Sequence, residues 1–235
     1  MKIVYGENFI TIEEADELTN EEIFNTLEQI EKQYKKVENL TLMLSPERSV
    51  SLENDLRVKG YCYTDAKVFY YHPLKNWRTL DRTEIEWVSP DEDSFMKHWL
   101  KVMEGSLNPR SALNMDEHMS SVKKELGSAY KKSCLTASID GEIAGVAMPH
   151  IEPGTKGEGR LFYFGMLPNH RGTGLAKDIH LASLKLLAEE FDASYYIGAT
   201  SHKNTPMLKV FENNGCHEKA RKKVYKKKIT PQPFQ

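Results

Sequence analysis

The stretch Pro168-Asn169-His170-Arg171-Gly172-Thr173-Gly174-Leu175-Ala176 decides how the rest of the chain is read. An apolar segment, Leu161 to Leu167, stops at Pro168. Beyond the glycines, Leu175, Ala176, Ile179, Leu184, Leu187 and Phe191 recur at roughly helical spacing. The pattern predicts strand, loop, helix. The first N–H groups of a helix lack intrahelical partners and carry the positive end of its dipole, so they stabilise an anion without a charged side chain. Gly172 and Gly174 let the backbone come within contact of phosphate oxygens. The stretch therefore predicts a cradle for a diphosphate. It is not a dinucleotide fingerprint: the third glycine is absent, and no acidic residue about twenty positions on ends a matching strand.

Working outward, residues 84 to 229 read as one unit. Glu84 to Ser89 predicts a short strand, and Asp91 starts a helix with Phe95, His98, Trp99, Val102 and Met103 on one face, broken at Asn108-Pro109. A second helix, Asn114 to Gly127, precedes strands at Ser133 to Ile139, Ile143 to Ile151 and Arg160 to Leu167. Asp140-Gly141 predicts a tight hairpin, because both residues tolerate positive φ, and Pro153-Gly154 marks a longer turn. After the glycine loop and its helix come a strand at Tyr195 to Ala199, a short helix at Thr205 to Asn213, and paired basic strands from Cys216 to Ile229.

Arg171, Gly174 and Ala176 form R-x-x-G-x-A behind Met166-Leu167-Pro168. Asn204-Thr-Pro-Met207-Leu-Lys-Val-Phe211-Glu-Asn-Asn-Gly215-Cys216 follows N-x-x-(A/M)-x-x-x-Y-x-x-x-G-F in all but its aromatic positions. With the element order, these segments resemble the GNAT acyltransferase superfamily. The resemblance implies an α/β (α+β) GNAT fold, a mixed, mostly antiparallel sheet flanked by helices, that uses acetyl-CoA or another acyl-CoA as co-substrate. It places cofactor contacts at Met166, Arg171, Gly172, Thr173, Gly174, Leu175, Ala176, Asn204 and Phe211. The pantetheine arm would lie along Leu161 to Leu167 like an added strand, where a bulge beside Gly165 turns the Met166 N–H toward the thioester. Gly165 also fits a close packing contact. Asn204 is equally the natural cap of its helix.

Acyl transfer from a thioester to an amine needs a donor for the developing oxyanion, an acid for the departing thiolate and a base for the amine. The tyrosine that supplies the acid in this family is Phe211 here, which has no proton to give. Tyr163 and His202 are the candidate substitutes; otherwise the thiolate leaves with solvent help, or the domain binds the cofactor without turning it over. The family's strand glutamate is also missing, since residues 160 to 164 are Arg-Leu-Phe-Tyr-Phe. The base candidates are His150, beside Glu152, and Glu158 just outside that run.

Residues 1 to 80 fall on the C-terminal segment at an offset of 155. Leu40-Thr-Leu-Met-Leu meets Tyr195-Tyr-Ile-Gly-Ala, Leu52 meets Met207, Leu56 meets Phe211, Gly60-Tyr61 meets Gly215-Cys216, and Phe69-Tyr70 meets Val224-Tyr225. A strand at Lys2 to Tyr5 and a helix over Ile12 to Val37 complete the pattern. The first 80 residues thus read as a degenerate half-repeat, and 81 to 235 as the complete domain. Gly6-Glu-Asn-Phe-Ile-Thr-Ile, with Glu7, Glu13 and Glu14, offers phosphate no cradle, so one cofactor per chain is expected.

The chain has 235 residues, 40% hydrophobic and 28% charged, with a net charge of −2. That composition predicts a soluble globular protein and gives no electrostatic footprint for nucleic acid; the basic run Lys219 to Lys228 reads as a solvated strand face. No apolar run reaches the roughly 18 residues of a membrane span, and the N-terminus turns acidic too early for a signal peptide. A cytoplasmic monomer or homodimer is expected. Cys62, Cys134 and Cys216 have no metal spacing, the eight histidines form no pattern, and no metal is expected. Trp77, Trp87 and Trp99 read as core or junction aromatics. The reading is acetyl transfer to a primary amine by direct attack in a ternary complex; the alternative is a catalytically silent acyl-CoA-binding or regulatory module.

Overall fold

Capping and alternation set most of the element boundaries in this computed structural model, which describes residues 1–6, 8–34, 37–75, 84–108 and 113–229. Glu7, Trp77, Pro109 and the expected boundary at residue 80 lie outside the described residues. In chain order the elements are β1 (Lys2–Tyr5), β2 (Phe9–Glu13), α1 (Asn20–Gln33), β3 (Asn39–Leu44), α2 (Pro46–Val50), α3 (Glu53–Val58) and β4 (Cys62–Pro73). There follow β5 (Glu86–Val88), α4 (Glu92–Met103), α5 (Met115–Leu126), α6 (Tyr130–Ser133), β6 (Leu135–Ile139), β7 (Glu142–Ile151) and β8 (Glu158–Met166). The chain closes with α7 (Leu175–Glu189), β9 (Tyr195–Ser201), α8 (Thr205–Asn213) and β10 (His217–Lys228). It is the mixed, mostly antiparallel architecture flanked by helices that the sequence predicts.

Contacts divide the chain into two compact units, Met1–Val68 with Ala220–Gln235, and Phe69–Lys219. In the first, the strand order is β1-β2-β3-β10. The helix expected over Ile12 to Val37 is shorter. Phe9-Ile-Thr-Ile-Glu alternates as β-branched residues do in a strand, and it pairs antiparallel with β1 and parallel with β3. Helix α1 begins only after Thr19, whose hydroxyl accepts the Glu22 N–H at 3.2 Å while the Glu22 carboxylate accepts the Thr19 N–H at 2.8 Å. This reciprocal cap fixes the start. Ile23, Leu27 and Ile30 of α1 then meet Ile10, Leu40 and Leu42 in the core. The paired strands expected after Cys216 are one 12-residue strand, because Glu218 to Lys228 contains no residue that favours a turn.

The second unit has the order β4-β9-β8-β7-β6-β5. Asp140 and Gly141 make the hairpin of β6 and β7 with φ of 51° and 79°. Helices α4 and α5 lay Phe95, Trp99, Val102, Met119 and Val122 on Val146 and Met148 of β7. Helix α7 belongs to a separate cluster, with Ile179 against Ala137, Ala144 and Met166. Two features of β8 position everything that follows. Pro149 faces Leu161 and Ala147 faces Phe164, so Met148 alone opposes both Phe162 and Tyr163: β8 carries one extra residue there. The bulge therefore lies two to three residues before Gly165, beside which it was expected. On the other side, β8 pairs with β9 only through Glu158 with Tyr195 and Gly159 with Tyr196. From Arg160 to Met166 that edge has no ladder to β9.

Candidate functional site

The loop leaving β8 has the geometry its sequence demands. Gly172 and Gly174 sit at φ of 76° and 92°, and Gly174 starts α7 without a side-chain cap. Both conformations favour glycine. Among the described residues, the N–H groups of Gly172 to Ala176 meet no acceptor, and the first recorded bond runs from Lys177 N to Gly174 O at 3.1 Å. A Cβ built on either glycine meets nothing within 4 Å, so the space above these donors is open. An oxyanion fits there. Leu175 and Ala176 anchor the turn by packing beside Ile179, and the Thr173 hydroxyl donates to His170 O at 2.8 Å.

Arg171 holds the loop in place. Its guanidinium donates to the carbonyls of Met166 at 3.1 Å, Val102 at 3.0 Å and Glu104 at 2.7 Å. It ties the loop to the end of α4, where a cation also meets the negative end of that helix dipole. Met166 is buried, and its carbonyl serves this clamp.

Along the unladdered edge of β8, Tyr163 stacks near Trp99, with ring centroids 5.6 Å apart. A Cβ on Gly165 would come within 2.9 Å of the Tyr163 ring, which explains that glycine as a packing contact. Burial pushes the Tyr163 phenol upward, against hydrogen bonds from Asn108 and Ser106 that lower it, and the net effect keeps it protonated. Asn204 caps α8 by accepting the Met207 N–H at 3.4 Å, while its amide donates to Thr200 Oγ1 at 3.1 Å and Asn108 Oδ1 at 3.4 Å. Tyr163 and Asn204 are thus joined through Asn108. Sequence reasoning treats Asn108 only as part of a helix break, since its partners lie 55 and 96 positions away.

The other candidates are dispersed. His202 lies in the turn between β9 and α8, two residues before Asn204. Phe211 is 2% exposed and enclosed by Tyr70, His180 and Tyr196, which leaves its ring no face for a ligand. His180 is fully buried; Asn214 donates to its Nδ1 at 2.9 Å, which leaves Nε2–H to donate to Tyr196 Oη at 3.3 Å. Burial, with His72 nearby, pushes its imidazole down to about 3. Glu158 accepts from Arg160 Nε at 2.7 Å and from the Tyr195 hydroxyl at 3.1 Å. His150 is 3% exposed, with Nε2 3.6 Å from a carboxylate oxygen of Glu152. Burial pushes the thiols of Cys134 and Cys216 up to about 12, which makes both inert.

Comparison with known proteins adds the following. The model of the acetyltransferase (GNAT) family matches residues 75–216. No curated protein matches the chain. Among solved structures, a GCN5-related N-acetyltransferase from Sphaerobacter thermophilus is similar over 99% of this chain and 77% of its own, at 14% identity and a TM-score of 0.64. One from Kribbella flavida is similar over 93% and 80%, at 14% identity and a TM-score of 0.59. A tandem GNAT protein from the clavulanic acid biosynthesis pathway covers 97% and 77%, again at 14% identity and a TM-score of 0.59. At such identities the solved structures speak for the fold alone.

Proposed function

Because this chain belongs to the acetyltransferase (GNAT) family, we propose that it carries an acetyl group from acetyl-CoA to a primary amine, by direct attack within a ternary complex. The family supports acyl-CoA-dependent acetyl transfer in general; the acceptor and the roles below are this reading's own. One observation carries it. The strand whose edge leaves its neighbour after two pairs, β8, runs directly into the open N–H cradle of Gly172 to Ala176.

Bound acyl-CoA supplies an activated thioester. The N–H groups of Gly172 to Ala176 hold its diphosphate, and Arg171 keeps that loop fixed to α4. The β9-facing backbone of Arg160 to Met166 pairs with the arm as another strand would. A bulge leaves one residue out of the ladder, so the Phe162–Tyr163 step offers an unladdered N–H to the thioester carbonyl oxygen. As the amine nitrogen bonds to the carbonyl carbon and the carbon–sulfur bond breaks, the Tyr163 hydroxyl gives its proton to the sulfur. Tyr163 takes this role because Phe211 has no proton and faces the core. The proton lost by the amine passes through water to Glu158. His150 is too enclosed to serve as that base.

The same reading keeps residues 1 to 80 as a degenerate half-repeat of the domain at 81 to 235. Strand β4 shifted by 155 coincides end to end with β10, and Gly60 and Gly215 share φ of 86° and 73°. The bonds Tyr61 N to Leu56 O at 2.8 Å and Cys216 N to Phe211 O at 2.9 Å match as well. The N-terminal copy lacks both binding features. Strands β2 and β3 stay paired from Phe9 with Asn39 to Ile12 with Leu42, which closes the slot, and the loop before α1 carries Glu14, Asp16 and Glu17. Asp16 is already engaged with Lys222 and the Ser45 N–H. One acyl-CoA per chain follows. Equilibrium dialysis of acetyl-CoA tests this: one equivalent bound per chain supports it, and two equivalents or none contradict it.

A further inference from the structure

We propose that Glu125, His150 and Glu152 form a binding site for a divalent transition-metal ion, joining the end of α5 to the end of β7. Their ligand atoms all lie within 4.8 Å of one another, and His150 and Glu152 are buried while Glu125 is half-buried. The inference is independent of the acetyl-transfer reading and departs from the sequence expectation of no metal.

The argument turns on His150. Its Nδ1 stands 3.4 Å from the carbonyl oxygen of Met148. A carbonyl only accepts, so this contact puts a proton on Nδ1, and in the neutral ring Nε2 then carries a lone pair. That Nε2 is buried and makes no hydrogen bond. It looks instead at a carboxylate oxygen of Glu152, 3.6 Å away. Arg160 Nε already stands 3.2 Å from that oxygen, but the unbonded Nε2 of a neutral ring is satisfied only by a cation the two ligands share. A backbone carbonyl holding the far ring nitrogen is also how ligating histidines are oriented.

The spacing and charge select the cation. Two ligands about 2.1 Å from a tetrahedral metal stand about 3.4 Å apart, close to the 3.6 Å between His150 Nε2 and Glu152. An ammonium with hydrogen bonds of about 2.8 Å would hold them about 4.6 Å apart. Arg160 Nε, 3.2 Å from Glu152 and 2.7 Å from Glu158, offsets one of the three carboxylates at Glu125, Glu152 and Glu158. A cluster built on carboxylates favours a cation. One imidazole nitrogen with two carboxylates suits zinc, manganese, iron or cobalt, and three protein ligands leave a position for water.

The test uses the full chain, stripped with chelator and then titrated with zinc or cobalt. One equivalent should bind, raising Tm by about 5–10 °C at free zinc about 100-fold above Kd. Cobalt should give a visible d–d spectrum. Glu152→Gln, which keeps shape, should remove binding and the Tm shift, and Glu125→Gln should weaken binding by about tenfold or more. Absence of zinc, manganese and cobalt binding by the wild-type chain overturns the proposal. Unchanged binding by a folded Glu152→Gln also overturns it. If that variant does not fold, the wild-type cobalt spectrum decides: a ligand-field band supports the site, and the spectrum of the aqueous ion refutes it.

Discussion

Replacing Gly174 with alanine should cost the protein little stability and most of its acyl-CoA affinity, and the two effects can be separated. At φ of 92° an L-residue is strained by about 1–2 kcal/mol, of which about 0.4–1 kcal/mol is recovered from the stiffer unfolded chain. The net cost is about 1 kcal/mol, a fall of about 2–4 °C in Tm for a chain of this size. The new methyl group has nothing within 4 Å, because it enters the open space above the N–H cradle. Pushing a phosphate away there loses one to two charge-assisted hydrogen bonds of about 1.5–3 kcal/mol each, so Kd for acetyl-CoA should rise about 100-fold. Gly127→Ala is the control: its φ of 57° is also positive, with ψ of −142°, and its Cβ also meets nothing, but it stands at the end of α5. Calorimetric titration should show Gly127→Ala losing stability and keeping affinity. Binding by Gly174→Ala within about threefold of wild type would refute the reasoning.

Tyr163→Phe removes only a hydroxyl, so kcat should fall about 100-fold or more while the Kd for acetyl-CoA is unchanged; steady-state kinetics and calorimetry check the split, and an undiminished kcat assigns the acid elsewhere. Arg171→Ala breaks three charge-assisted bonds to carbonyls and should destabilise by about 2 kcal/mol in urea unfolding, with weaker acyl-CoA binding as the loop loosens. His180 makes stability depend on pH. Its folded-state value of about 3 lies below the ordinary 6.5, so the unfolded chain takes up the proton first. The contribution of neutral His180 is complete above about pH 6.5 and is lost at about 1.4 kcal/mol per unit as the pH falls toward 3. Burial depresses His72 and His118 in the same direction. Urea unfolding at about pH 7.5 and about pH 5 should differ by about 2 kcal/mol or more; a flat profile contradicts the buried, neutral ring.

What was legible in the sequence was local. Gly172 and Gly174 announce left-handed backbone, Asp140-Gly141 a hairpin, and the apolar period of α7 a buried face; each needs only a few consecutive residues. Longer-range features were not. That the Arg171 guanidinium also ties its loop to Val102 and Glu104, 69 and 67 positions away, shows only in three dimensions. The extra residue in β8 shows only in register with β7, and Gly165 marks the Tyr163 ring instead. The helix expected over Ile12 to Val37 takes in the end of β2, Ile12 and Glu13, because acidic neighbours suit either element, and the Thr19–Glu22 cap sets where α1 begins. Glu125 gains a relation to His150 only when α5 meets β7.

The central claim is that the thioester held along β8 is passed to an amine. Its most direct measurement is the release of CoA thiol from acetyl-CoA with and without a panel of primary amines, with the acetylated amine identified by mass. The account predicts release that depends on the amine, matches the acetylated product mole for mole, and disappears in Gly174→Glu. Acetyl-CoA bound tightly with no release on any amine would contradict it, and would make the chain a silent acyl-CoA-binding module.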